Sequence, residues 1–137
     1  MRIGVDLDGI VTRVGFYNPS LKLPWWLFFA LMPAAIILKP DKTVVSRLKI
    51  MQDGGNEIII VTARPCQSAQ LTERWLKLHH VSFDRLICVG FGEGTNDRKL
   101  KVIQEEKMAI LVDNDIRLVM FMKKNSVNAV STFEFFS

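Results

Sequence analysis

Cysteine, histidine and tyrosine are scarce: 137 residues hold two Cys, two His and one Tyr. Two cysteines, Cys66 and Cys88, are too few for a disulfide framework and point to a reducing, cytoplasmic setting. His79 and His80 are adjacent, so on a helix their side chains diverge. They fit a helix C-terminus, where positive charge is favourable, better than a zinc pair. The chain lacks internal repeats and low-complexity linkers, and its N-terminus reads as a strand rather than a secretory leader. A net charge of +4 and a pI near 9.3 suit an anionic substrate or surface. The basic residues are nevertheless dispersed and form no nucleic-acid motif, so nucleic acid is not an expected partner. The length suits one domain with one core.

What the chain does have is acid at the ends of apolar runs. Arg2-Ile3-Gly4-Val5 reads as a short buried strand that leads into Asp6-Leu7-Asp8-Gly9. Residues i and i+2 on a strand share a face, and Gly9 lets the chain leave the sheet, so Asp6 and Asp8 converge on one small volume. Ile58-Ile59-Ile60-Val61-Thr62-Ala63-Arg64 is a second such run, ending in a hydroxyl and a cation. Ala109-Ile110-Leu111-Val112-Asp113-Asn114-Asp115 is a third, ending in acids, and Lys99 lies between the two on an apparent helix. Open α/β sheets bind ligands at the carboxyl ends of their strands. Carboxylates, a hydroxyl and a lysine gathered there suit a phosphate and a divalent cation; oxygen donors without a Cys/His cluster select Mg²⁺ over zinc.

These residues, in this order, resemble the four motifs of the haloacid dehalogenase superfamily of phosphohydrolases. The resemblance runs from Met1 to about Val130, except for roughly residues 13 to 40. It implies that Asp6 is the nucleophile and Asp8 the general acid and base. Thr62, with the backbone at Ala63, would hold the phosphoryl oxygens, and Lys99 would neutralise charge around them. Asp6, the backbone carbonyl of Asp8, and Asp113 would bind Mg²⁺, supported by Asn114 or Asp115. Haloacid dehalogenases lack an acid at the position of Asp8 and transport ATPases carry Thr there, so Asp8 favours a phosphatase or a phosphomutase, with a phosphotransferase as the alternative function. Thr62-Ala63-Arg64 and the spacing from Lys99 to Asp113 resemble the smaller deoxyribonucleotidase-like members. Arg13, Tyr17 and Arg64 are candidate substrate contacts by position.

Strand and helix alternate along the remainder. Helices are expected from about Lys42 to Gln52, near 67 to 79 with Leu71, Trp75 and Leu78 on one face, near 97 to 106, and at 115 to 123 with Lys123 and Lys124 at its end. Strands are expected at 57 to 61, 86 to 89, 108 to 112 and 127 to 130. Such alternation implies a parallel three-layer α/β/α sandwich with a Rossmann-like sheet, and the resemblance implies the strand order 5-4-1-2-3. Gly90-Phe-Gly-Glu-Gly94 follows the third strand and reads as a flexible loop above the sheet rather than a phosphate loop. Cys66 reads as a small packing residue.

Leu23 to Leu38 holds sixteen residues without a charge. As a helix it would be apolar all round, would reach only about 24 Å and would be interrupted by Pro33. Three placements remain open: interfacial contact with a membrane, where Trp25, Trp26, Lys22, Lys39 and Lys42 would sit at headgroup level; packing in a homodimer or under the site; and an ordinary core helix. In the resembled family an insertion here grows into a cap, and about thirty residues make at most a minimal one. The expected substrate is a phosphorylated small molecule or a lipid head group. The reading from another class is a non-catalytic binding or scaffold protein that keeps the fold.

Overall fold

Isoleucine and valine carry the sheet, because branched side chains pack well on a pleated surface covered on both faces. The computed structural model describes residues 1–8, 10–12 and 39–137. Strands β1 (Arg2–Asp6), β2 (Glu57–Thr62), β3 (Arg85–Cys88), β4 (Ile110–Asp113) and β5 (Ala129–Ser131) are all parallel, in the order β3-β2-β1-β4-β5. That is the expected order read from the opposite edge.

The side-chain alternation of the strands divides the core in two. Ile3, Val5, Ile58, Ile60 and Val112 pack with Val44 and Leu48 of α1 (Lys42–Asp53) and with Trp75 and Leu76 of α2 (Ala69–Leu78). Ile59, Val61 and Leu111 face the other way, towards Ile103 of α3 (Thr95–Glu105) and Leu118, Val119 and Met122 of α4 (Ile116–Lys124). Gly4 belongs to the crowded second layer, where a Cβ would stand 2.6 Å from Met108 Sδ.

Local chemistry sets the helix ends. Asp41 Oδ1 caps α1 by accepting from the amides of Thr43 and Val44 at 2.9 and 3.4 Å. The helix stops at Gly54, and α2 ends at His79. Three details depart from the sequence reading. The buried stripe of α2 is Thr72, Trp75 and Leu76, while Leu78 is 68% exposed; a hydrogen bond from Arg64 Nη1 to Thr72 Oγ1, 3.3 Å, turns that face inward. Cys66 is exposed, because the 3-10 turn Cys66–Ser68 after Pro65 carries it outward, and its thiol donates to the Cys88 carbonyl at 3.2 Å. A short α5 (Thr132–Phe136) closes the chain with a reciprocal capping box between Ser131 and Glu134. Among the described residues no helix is long and apolar enough to cross a membrane. Arg13, Tyr17 and the apolar segment 23–38 lie outside the described residues.

Candidate active site

Because the strands are parallel and in register, their C-terminal ends share one edge. Asp6 is paired with Val61, one residue before Thr62, and Asp113 lies one residue beyond Val112, which pairs with Val5. The edge therefore gathers an acid, a hydroxyl and another acid from strands far apart in sequence. Lys99 reaches them from the first turns of α3, and its Nζ donates to Asp6 Oδ1 and to Asp113 Oδ2, each at 3.0 Å. All three side chains are buried.

The charges in this cluster do not cancel. Burial pushes Asp6 up to about 8; Lys99 pulls it down, but Asp113 and Asp8 push it up again. Burial also opposes the Lys99 charge, yet Asp6 and then Asp113 outweigh it and hold the ammonium above the usual lysine range. One lysine among several carboxylates leaves room for further positive charge.

Asp8 is held by a different cation. Arg64 Nη2 and Nε donate to Asp8 Oδ1 and Oδ2 at 2.7 and 3.1 Å, a two-pronged grip on one carboxylate. Thr62 Oγ1 donates to Asp8 Oδ2 at 3.4 Å and accepts from the Arg64 amide at 3.2 Å. The paired side chains are 8% and 10% exposed, so removing one leaves an uncompensated buried charge. Arg64→Ala is therefore expected to lower the unfolding free energy by about 3–5 kcal/mol in urea denaturation; a loss below about 1 kcal/mol would put the pair in the class of surface ion pairs.

The walls enclose a cavity of about 50 Å³ formed by Asp6, Asp8, Ala63, Thr95, Asn96, Lys99, Asp113, Asn114, Asp115 and Leu118. A single water needs roughly 10–15 Å³ by a comparable measure, so the cavity holds a few waters or one phosphoryl group, with the remainder of any ester outside these walls. Of the residues proposed from sequence, Asp6, Asp8, Ala63, Lys99, Asp113, Asn114 and Asp115 line it. Thr62 lies fully buried beneath, and the Arg64 guanidinium is engaged by Asp8 and Thr72 rather than turned to the cavity. Asp115 Oδ1 caps α4 by accepting from the amides of Arg117 and Leu118, and the Asp115 amide donates to Asp113 Oδ1 at 2.9 Å. Thr95 and Asn96 were not anticipated; the Gly94-Thr95 step, where a left-handed glycine precedes the helix, was the signal for them.

The donor set fits Mg²⁺. Among the described residues no three His, Cys, Asp or Glu side chains form a cage, and Mg²⁺ asks for less: one or two carboxylates, waters and a substrate phosphate. Asp6 and Asp113 supply the carboxylates, and the Lys99 ammonium meets each of them at one oxygen.

No protein-family model and no curated relative matches the sequence. Solved structures do resemble the fold. A chain of the Pnkp1/Rnl/Hen1 RNA repair complex superposes with a TM-score of 0.70 at 20% identity, over 95% of this chain and 42% of that one. The D,D-heptose 1,7-bisphosphate phosphatase of B. bronchiseptica, complexed with magnesium and phosphate, superposes with a TM-score of 0.57 at 8% identity, over 95% and 78%. This chain thus spans less than half of the RNA repair protein it resembles. With its five parallel strands in the order β3-β2-β1-β4-β5, the chain has the fold of the haloacid dehalogenase superfamily.

Proposed function

We propose that the chain is a Mg²⁺-dependent phosphatase that hydrolyses phosphomonoesters through an aspartyl-phosphate on Asp6. The observation that carries this reading is the convergence of Asp6, Asp8, Lys99 and Asp113 on one small polar cavity at the carboxyl edge of the sheet. Asp6 Oδ2 attacks phosphorus, the ester P–O bond breaks, and protonated Asp8 gives its proton to the leaving oxygen. Water then attacks the same phosphorus, Asp8 takes its proton, and Asp6 leaves as a free carboxylate with inorganic phosphate released. Arg64 aims Asp8 in both halves through hydrogen bonds to its two oxygens. Lys99 keeps Asp6 pointed at phosphorus and offsets charge on the phosphoryl oxygens. Bound by Asp6 and Asp113, Mg²⁺ would offset the repulsion among the carboxylates and favour ionised Asp6.

A phosphotransferase would share the first half and replace water by another acceptor. The test is phosphate release from a panel of nucleotide, sugar and lipid phosphates, with a phosphorylated oligoribonucleotide added because of the likeness to the RNA repair protein. Turnover is expected with Mg²⁺ and is expected to fall by roughly 10²-fold or more in EDTA. Equal rates in both would overturn the metal dependence. No release from any substrate, from a folded protein whose melting temperature rises with Mg²⁺, would favour the binding-protein reading.

A further inference from the structure

Arg98 stands immediately before Lys99 in the sequence, and its guanidinium meets five acceptors. Its Nε donates to the Val89 carbonyl at 2.7 Å and Nη1 to the Glu93 carbonyl at 2.8 Å. Its Nη2 lies within 3.2 and 3.3 Å of the Gly90 and Phe91 carbonyls and 3.1 Å from Thr95 Oγ1. The Thr95 hydroxyl in turn lies 2.8 Å from the Gly92 carbonyl and 3.2 Å from that of Gly90.

The loop so gathered is one that could not order itself. Gly90, Gly92 and Gly94 all have positive φ, at 82, 96 and 79°, a conformation glycine permits but does not enforce. Four of its carbonyls point inward at one side chain, and a planar fork of five N–H groups suits such a task as a lysine does not. The loop ends at Gly94, where α3 begins, so its shape sets where that helix starts. Thr95, Asn96 and Lys99 of the first turns then face the cavity. The Gly90 amide also donates to the Arg64 carbonyl at 3.2 Å, which ties the same loop to the segment that grips Asp8.

We infer that Arg98 is a positioning residue, which folds the glycine loop around its guanidinium and thereby fixes the Lys99 ammonium between Asp6 and Asp113. The consequence for turnover rests on the phosphatase reading; the placement of Lys99 does not. The geometry demanded of such a group is tight, since a misplacement of about 1 Å costs on the order of 10²-fold in rate.

Two measurements on the intact chain test this. The first is the ¹⁵N–¹H correlation of the Lys99 ammonium, which burial and two carboxylate partners keep from rapid exchange. In Arg98→Ala it is expected to vanish into solvent exchange, and in Arg98→Lys as well, since one ammonium cannot replace the fork. In Arg85→Ala, which removes an ion pair with Glu106 outside the cavity, it is expected to persist. Should Arg98→Ala not fold, Gly94→Ala serves: its Cβ would stand 3.2 Å from Arg98 Nη1 on a backbone at φ +79°. The second measurement is steady-state phosphate release, where kcat per folded molecule is expected to fall roughly 10–100-fold with KM changed little. A persistent Lys99 signal in the Arg98 variants overturns the inference whatever the turnover. A lost signal with a kcat equal to that of the unmodified chain overturns it too. Silence of the unmodified chain on every phosphoester instead sinks the phosphatase reading, and the Lys99 signal then decides the placement of Lys99 alone.

Discussion

Asp6→Asn is expected to abolish phosphate release, by roughly 10⁴-fold or more, and to leave the protein folded with a melting temperature no lower than before. The loss follows from the nucleophile: an amide oxygen in the place of Asp6 Oδ2 does not form a stable bond to phosphorus. The retained stability follows from charge. Lys99 has two carboxylate partners, so neutralising one leaves the ammonium still paired with Asp113 at 3.0 Å. Burial already pushes Asp6 towards its neutral form, with Asp113 and Asp8 adding to it, so a neutral isostere relieves repulsion rather than creating it. Calorimetry in EDTA beside the turnover assay reads both halves. A variant with full turnover would remove Asp6 from the chemistry; one that melted well below the parent would contradict the account of the charge balance.

Asp8→Asn should cut turnover by roughly 10²–10⁴-fold on an alkyl phosphate and much less on an activated aryl phosphate. The difference comes from the leaving oxygen, because an alkoxide needs a proton as the P–O bond breaks and a nitrophenolate does not. With the aryl substrate the first half then outpaces the second, where water still lacks its base, and phospho-enzyme accumulates. The substitution also removes the charge that Arg64 grips, which is why activity is to be normalised to folded protein. Equal losses on both substrates would argue that Asp8 is a structural partner of Arg64 and no proton donor.

The strands were legible because each is a short apolar run punctuated by turn residues, and alternation with helices implied a parallel sheet; their order came from the resemblance of the motifs, not from the alternation. The edge at which Asp6, Thr62 and Asp113 emerge follows from that order. What was not legible lies in pairings across the sequence. Arg64 looked free for substrate, but its partner Asp8 is 56 residues away and only the β1–β2 register brings them side by side. The same guanidinium turned α2, through Thr72, onto a face that the spacing of Leu71, Trp75 and Leu78 did not indicate. Gly90 to Gly94 looked flexible because glycine is permissive, and the restraint comes from Arg98 one turn into the next helix. The Ser131-to-Glu134 capping box, by contrast, was written in four consecutive residues and passed over.

Passage of a phosphoryl group through Asp6 is to be caught by acid-quenched mass spectrometry of the Asp8→Asn variant with Mg²⁺ and an aryl phosphate. One added phosphoryl group is expected on the peptide that carries Asp6, absent when Asp6 is also Asn. Phosphate release with no adduct on that peptide, or an adduct on another residue, would contradict it.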